Sequence, residues 1–532
     1  MMNGKRNLPI GIQDFEFIRR ENYLYVDKTE YIYQLVHYGK PYFLSRPRRF
    51  GKSLLLSTLR CYWEGRRELF NGLAIEKLEE GNEEAFAPYP VFYFDFNKKN
   101  FKRETALEEV LGDHLAEWEA IYGDEYSDKP LEERFQHLLV KAVEKTGRNA
   151  VVLVDEYDKP LLEAGENTEL EEDNKAVFKG FFSTLKSYDR YLQFVFFTGV
   201  TKFSKVSVFS DLNQLMDISI DKEYAGICGI TEAELKEYFA PEVAEMAAEQ
   251  ELSGEECYGK LKSQYDGYHF HYISDGVYNP FSLLNALRKK EFGDYWFETG
   301  TPTFLLNKLK KSGFDAKQFT GGELYEDARK LTDYRTDDPD PLPLFFQTGY
   351  LTIKDYDKEF QSYQLGYPNE EVKYGFLKSL VPIYLHDEKS SGVLDIRSFV
   401  KDIRTGNTDG LKARFTALYA GLPYANNDAN YERDFQNVIY IVFMLLGQYV
   451  QVEQHNALGR ADAVVETEKY VYIFEFKRDK SAEEALKQIE EKKYADRYAA
   501  DTRTIIKIGA NFSTGSRSLD GWEETKHGGK RR

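Results

Sequence analysis

The sequence predicts an α/β fold in three regions: a parallel sheet crossed by helices, a helical middle, and a small αβββαβ unit. Three observations carry this. Short apolar runs alternate with helical stretches over residues 1–228. Helical, aromatic-rich sequence fills 229–408, and residues 409–532 read as helix, three strands, helix and strand. A chain of 532 residues has room for two to four domains of roughly 100–200 residues each.

The runs of the first region are Tyr42-Phe43-Leu44, Val91 to Phe96, Val151 to Val154, Phe194 to Phe197 and Leu215 to Ile218. Apolar runs without alternation, separated by helices, are how strands covered on both faces read. The middle opens on the capping-box pattern Thr231-Glu232-Ala233-Glu234 and is punctuated by the Asp- and Pro-rich loop Thr332 to Pro343. In the last region the helices are Tyr431 to Leu446 and Ala482 to Tyr498. Its strands are Tyr449 to Glu453, Ala461 to Val465, Tyr470 to Phe476 and Thr504 to Ile508.

Composition narrows the function. Hydrophobic residues at 42% and charged residues at 30% exclude disorder along the whole length. Seventy-one Lys+Arg against 89 Asp+Glu leave a net charge of −18, so no overall positive field draws the chain to nucleic acid or membrane. Binding nucleic acid would need local basic patches around acidic, metal-holding centres. Three widely spaced cysteines (Cys61, Cys228, Cys257) fit a reducing compartment and exclude a disulfide framework or a zinc knuckle. Met1 to Asn7 carries no signal-peptide core, and the longest apolar run, Val438 to Leu446, is about half of what spans a bilayer. The expectation is a soluble, cytoplasmic protein.

Ser45-Arg46-Pro47-Arg48-Arg49-Phe50-Gly51-Lys52-Ser53 follows the first strand and precedes the apolar helix Leu54 to Trp63. Phosphates need backbone amides at a helix start, an ammonium on the β/γ oxygens and a hydroxyl for Mg²⁺; Gly51, Lys52 and Ser53 supply these. About a hundred residues downstream, Val151 to Val154 run into Asp155-Glu156, where one acid can hold Mg²⁺ and the next orient water. Thr198, ending another strand, is either a γ-phosphate sensor between the two motifs or a plain strand-to-loop junction. Arg46, Arg48 and Arg49 are either phosphate clamps or a solvated loop face.

The C-terminal region carries a second constellation. Asp462 opens one strand and Glu475 closes the next, with twelve residues between them, so a short turn brings the two acids side by side. Glu475 and Lys477, two apart on a strand, share a face. Two carboxylates suit a hard divalent ion, and a neighbouring lysine can polarise the water it binds, which is phosphodiester-cleaving chemistry. The alternative is a cross-strand ion pair, but Tyr472-Ile473-Phe474 and Phe476 are too apolar for an exposed face. Glu432 on the preceding helix is a candidate third acid. Gln488, Lys492, Lys493 and Tyr494 are either phosphate contacts or a solvated helix face. Elsewhere, Tyr265 to Phe270 and Tyr278 to Phe281 read as packed aromatic turns, and His269 with His271 lacks a third metal ligand.

Leu8-Pro9-Ile10-Gly11, Tyr25-Val26-Asp27-Lys28-Thr29, Arg46 to Ser53 and Val154 to Asp158 together resemble the bacterial AAA-ATPase-like proteins. The middle segments Tyr265 to Phe270, Tyr278 to Phe281 and Tyr295 to Thr303 share that resemblance. Residues 409–532 resemble the family's usual C-terminal partner, a PD-(D/E)XK nuclease-superfamily domain. The resemblance implies a P-loop NTPase of the additional-strand type in 1–228, a helical lid or linker in 229–408 and a restriction-endonuclease-like domain in 409–532. It implies phosphate and Mg²⁺ binding by Lys52 and Ser53, flanked by Arg48, Arg49, Phe50, Gly51 and Leu54. Asp155 is then the Mg²⁺ ligand and Glu156 the base, while Asp462 and Glu475 are nuclease metal ligands and Lys477 is catalytic. The implied cofactors are ATP and Mg²⁺, with Mn²⁺ an alternative at the nuclease site. The implied partner is nucleic acid, DNA ahead of RNA, with self-association allowed and no membrane.

Two departures stand out. Arg46 occupies the motif's first glycine position. Tyr494 follows Gln488 by six residues where a shared helix face prefers three or four, so the spacing gives no ground for assuming a Gln–Tyr phosphate pair. The leading reading is an ATPase fused to a metal-dependent nuclease whose cleavage is gated by nucleotide. The competing one is a non-cleaving, nucleotide-dependent switch or scaffold.

Overall fold

The computed structural model describes residues 6–39, 41–97, 99–165, 167–203, 215–298, 305, 308, 309, 312, 324–332, 338, 340–385, 395–420, 428–454, 462–516 and 518–528. The chain forms two compact units, Met1–Leu305 with Tyr325–Val372, and Leu306–Leu324 with Lys373–Arg532.

The first unit is built on a parallel sheet of β1 (Tyr42–Ser45), β2 (Val91–Asp95), β3 (Ala150–Asp155), β4 (Leu192–Gly199) and β5 (Met216–Asp217). Its order is β2-β3-β4-β1-β5, so β4 is inserted between the strand that leads into the phosphate loop and the strand that ends in Asp155. Every residue of β3 is buried, as its unbroken Ala-Val-Val-Leu-Val run requires. On β2 the faces differ. Phe92 and Phe94 pack on Trp118 and Phe135 from helices Ala106–Tyr122 and Leu131–Thr146. Tyr93 faces the other layer, where Arg60 of helix Lys52–Trp63 lies over its ring.

The Tyr25 to Thr29 segment is a structural knot. Asp27 accepts from Thr29 N (2.9 Å) and Thr29 Oγ1 (2.7 Å) at the start of helix Thr29–Tyr38, and from Ala74 N (2.7 Å) at helix Ala74–Leu78. Orphan amides of two helices thus share one carboxylate. Lys28 Nζ donates to Gly226 O and Glu234 Oε2, both at 2.8 Å.

The helical middle follows. The capping box is complete: Thr231 Oγ1 accepts from Glu234 N (3.2 Å) and Glu234 Oε2 accepts from Thr231 N (2.8 Å), opening helix Glu232–Tyr238. Helices Ala240–Glu249, Gly254–Tyr265 and Pro280–Lys289 close a core around Phe239, Met246, Leu261, Tyr265 and Leu283. Leu8, Ile10, Leu24 and Val26 of the N-terminal segment pack against it. A short ladder pairs β6 (Ile230–Thr231) with β7 (Val277–Tyr278). An antiparallel sheet joins β8 (Tyr325–Asp327), β9 (Thr352–Asp357) and β10 (Ser362–Gly366) in the order β8-β10-β9. Residues 299–303 of the aromatic segment beginning at Tyr295, and 333–337 and 339 of the Asp/Pro loop, lie outside the described residues.

The second unit carries helix Asp428–Leu446, β11 (Gln451–Gln454), β12 (Ala463–Glu466), β13 (Tyr470–Arg478), helix Ala482–Glu491, β14 (Thr504–Ser513) and β15 (Ser518–His527). The sheet order is β11-β12-β13-β14-β15, with β13 and β14 parallel and the other neighbours antiparallel. This is the expected αβββαβ order with one more strand, β15, at the edge. One sheet face buries Val471 and Ile473 beneath Ile489 and Tyr498. On the other, Phe474 meets Phe443 of the long helix with ring centres 5.0 Å apart.

The helix expected over Ala482 to Tyr498 ends at Glu491. Lys493 takes a left-handed φ of 55°, Tyr494 N donates to Ile489 O and Lys493 N to Glu490 O, which closes the helix as a Schellman turn.

Gly267, inside Tyr265 to Phe270, has φ +92°, and a Cβ there would collide with the carbonyl oxygen of Pro368. Gly267→Ala is expected to destabilise the first unit by about 2–4 kcal/mol, read as a lowered midpoint of its transition in chemical denaturation.

Candidate functional sites

Gly51 takes φ +95° and hands the chain into helix Lys52–Trp63, whose first amides have no side-chain cap. Lys52 is 5% exposed; its Nζ donates to the carbonyls of Arg46 (2.9 Å) and Pro47 (3.1 Å) in its own loop. Arg48 and Arg49 are exposed, and the Arg49 guanidinium lies over the Phe281 ring at 4.9 Å. Phe50 is buried edge-on against Tyr268 and Phe270, so only its backbone is available to a phosphate. Ser53 and Leu54 stand in the first helical turn and line the cavity described below.

Arg46 does something other than clamp phosphate. Its side chain is 1% exposed, and NH1 donates to Ser45 O (2.9 Å) and Ser219 O (2.6 Å) while NH2 donates to Tyr224 O (3.0 Å). The guanidinium lies 3.8 Å from the centre of the Phe270 ring. Burial pushes its pKa down to about 10, which leaves it charged at neutral pH. The residue at the first-glycine position is therefore a bolt between the loop and the segment after β5.

Asp155 ends β3 and is 1% exposed. Thr198 Oγ1 donates to its Oδ1 (2.7 Å) and Tyr93 Oη to its Oδ2 (3.3 Å). Glu156 takes a left-handed φ of 51°, and burial raises its pKa. Asp158 carried no role in the sequence reading. It is fully buried and accepts from Val200 N (3.0 Å), Thr201 N (2.6 Å) and Thr201 Oγ1 (2.7 Å), joining the loops after β3 and β4. A Cβ on Gly199 would sit 2.6 Å from Asp158 Oδ1, so the junction needs glycine. Tyr93 and Asp158 left no local signal, because each is recognised only through a partner on another strand or loop.

Arg48 to Leu55, Glu156 and Asp158 line a cavity of about 520 Å³, within the range of small-ligand sites, whereas Arg46, Tyr93, Asp155 and Thr198 are not part of its lining. Its polar lining comes from the Arg48 to Ser53 loop with Glu156, Asp158 and Lys159. Apolar side chains also line it, among them Ile12, Leu24, Val26, Ile230, Phe239 and Phe281.

In the second unit, antiparallel pairing of Ala463 with Phe474 brings Asp462 opposite Glu475, and Asp462 Oδ2 accepts from Phe476 N at 2.8 Å. Glu475 is 3% exposed. Its Oε1 accepts from Lys477 Nζ (2.9 Å) and from Gln488 Nε2, while Lys477 Nζ also donates to Gln488 Oε1 (2.5 Å). Burial, and next the Asp462 charge, raise the Glu475 pKa. Gln488 Nε2 reaches Tyr494 Oη at 3.4 Å, a pairing that their spacing alone gives no ground to assume. The Schellman turn folds Tyr494 back over the helix end, so helical spacing does not apply across it. Glu432 lies on helix Asp428–Leu446, but its side chain, like residues 455–461, is outside the described residues.

The donor set fits a hard divalent ion: Glu475 Oε2 is buried without a hydrogen-bond partner, beside a second carboxylate. Among the described residues no group of three or more His, Cys, Asp or Glu is arranged around a metal-sized point. Cys61, Cys228 and Cys257 are buried free thiols. No helix among the described residues is long and apolar enough to cross a membrane.

Arg46→Met is expected to cost about 3 kcal/mol of stability, since buried carbonyls lose their donor. Arg48→Ala is expected to stay within about 0.5 kcal/mol of wild type in the same denaturation measurement.

Residues 9–209 match the family described as "Predicted AAA-ATPase", and residues 430–522 match the PD-(D/E)XK nuclease superfamily. The chain is 37% identical over 530 residues to "Uncharacterized protein in vnfD 5'region" of Azotobacter chroococcum mcd 1, covering 97% of this chain and 98% of that one. No solved structure matches. Likeness to that relative over nearly the whole length, with the two family matches, shows that the chain belongs to the AAA-ATPase-like family and carries a C-terminal PD-(D/E)XK nuclease-superfamily domain.

Proposed function

We propose that the first unit binds and hydrolyses ATP, that the second cleaves phosphodiester bonds in DNA with a divalent ion, and that nucleotide state gates the cleavage. The observation that carries the reading is Lys477 held against Glu475, whose second oxygen is bare, one strand from Asp462.

At the first site, Lys52 exchanges its loop carbonyls for β/γ-phosphate oxygens as the nucleotide enters, with Arg48, Arg49 and the amides of Phe50 to Leu54 around the chain of phosphates. Ser53 and Asp155 would hold Mg²⁺, which supplies charge neutralisation on those oxygens. Glu156 takes the proton of the attacking water, and Thr198 reports on the γ-phosphate through Asp155. The base rests against the apolar lining of the cavity.

At the second site, Asp462 and Glu475 would hold Mg²⁺ or Mn²⁺, with Glu432 as a third acid; the ion supplies a polarised water and charge neutralisation. Lys477, placed by Gln488 and Tyr494, steadies the charge that builds on the scissile phosphate. Lys492 and Lys493, exposed beside the helix end, meet the nucleic-acid backbone.

Gating is supported by contacts on the phosphate loop and the loop after β4. Trp296 Nε1 donates to Arg48 O (3.3 Å), Gly349 abuts the Pro47 ring, and Lys202 N donates to Gln347 Oε1 (2.8 Å). The chain carrying Gln347 and Gly349 continues at Lys373 into the second unit. The non-cleaving switch draws support from Lys52 resting on its own loop. A cytoplasmic protein that self-associates completes the reading.

Labelled single- and double-stranded DNA and RNA, incubated with the full chain in Mg²⁺ or Mn²⁺ with and without ATP, test this. DNA is expected to be cut, EDTA to stop cutting, and Asp462→Ala to lower the rate by about 100-fold or more. Lys52→Ala is expected to lower ATP turnover by about 100-fold or more and to remove the effect of ATP on cleavage. No cleavage of any substrate would replace the nuclease with the nucleotide-dependent switch.

A further inference from the structure

We propose that Tyr93 is a positioning residue of the nucleotide site: its hydroxyl and that of Thr198 together fix the Asp155 carboxylate in the orientation that receives the divalent ion. This rests on reading Asp155 as the metal-binding carboxylate of the first unit.

The argument begins with strand parity. In β2, Phe92 and Phe94 fill the layer against helices Ala106–Tyr122 and Leu131–Thr146, so Val91, Tyr93 and Asp95 share the opposite face. Parallel pairing sets Tyr93 beside Leu153 and Asp95 beside Asp155, which puts the Tyr93 and Asp155 side chains on one face. On the other side of β3, Val154 pairs with Phe197, and the next step of the ladder brings Thr198 beside Asp155. Asp155 is thereby flanked by a hydroxyl from each neighbouring strand.

Both hydroxyls use it. Thr198 Oγ1 donates to Oδ1 at 2.7 Å and Tyr93 Oη to Oδ2 at 3.3 Å, so each carboxylate oxygen has one donor. Aromatic packing alone would be met by phenylalanine, the residue on either side of Tyr93 in the strand. A phenol hydroxyl is a neutral donor at neutral pH. Neutral donors hold a carboxylate without cancelling its charge, whereas a lysine or arginine would hold it and weaken its hold on a cation. Partners behind a metal-binding carboxylate set its geometry and tune its affinity. Here the partners come from β2 and β4, the two strands that flank β3.

The test uses the full chain with Tyr93→Phe, which keeps the ring under Arg60, beside Asp155→Asn. Mn²⁺ binding in the presence of ADP is followed by the electron paramagnetic resonance signal of free Mn²⁺, and ADP binding is measured separately in EDTA. For Tyr93→Phe the Mn²⁺ dissociation constant is expected to rise about 10-fold while ADP affinity in EDTA stays within about twofold. ATP turnover is expected to fall in kcat by a similar factor, with KM for ATP within about twofold. Mn²⁺ affinity within about twofold of wild type in Tyr93→Phe, while Asp155→Asn loses the ion, overturns the assignment alone. An equal loss of ADP affinity in EDTA also overturns it, because a general disturbance of the pocket would then explain the change. A wild-type chain that binds no Mn²⁺ with ADP overturns the reading of the nucleotide site and the assignment with it.

Discussion

A guanidinium taken out of water is costly unless acceptors gather around it, and the carbonyls that meet NH1 and NH2 of Arg46 organise the first unit around its loop. Arg46 stands where a phosphate loop ordinarily needs glycine, and its side chain runs inward to the carbonyls of Ser219 and Tyr224 and the face of Phe270. The turn past Arg46 then has one direction available, which leaves the carbonyls of Arg46 and Pro47 facing Lys52. Phe50 closes the other side by packing on Tyr268 and Phe270. The aromatic segment of the middle region is thus the floor on which the loop is laid. Gly267, at positive φ against Pro368, is what lets that floor turn.

The second unit solves a different problem with similar means. A carboxylate and an ammonium buried in an apolar strand need partners, and Gln488 supplies both a donor to Glu475 and an acceptor for Lys477. Its amide is in turn met by Tyr494, delivered by a residue in left-handed conformation at the helix end. A single helix terminus therefore sets the geometry at the end of the strand that precedes the helix.

What could be read along the chain was what the chain states locally. A strand, a glycine at a helix start and Lys-Ser after it are contiguous, as are an all-apolar strand and the acids that end it. The pair Glu475 and Lys477 needed only the period of a strand and the oddity of charge among Tyr, Ile and Phe. The rest is relational. Arg46 could not be told from Arg48 or Arg49, because what separates them is the carbonyls of residues 219 and 224. Tyr494 looked out of phase because the helix was extended past Lys493. β15 escaped notice since Ser518 to His527 carries charges and a glycine, the make-up of an edge strand with one wet face. Tyr93 and Asp158 have meaning only once β2, β3 and β4 are set in order.

The resting partner of Lys52 has one more consequence. An ammonium already held by two carbonyls surrenders them only to something that offers more than one acceptor at that distance. A halide offers a single point of contact, whereas a polyphosphate brings several charged oxygens at once along the loop. The loop thus sets an entry threshold. An anion entering there competes with two carbonyls already in place rather than with bulk water alone.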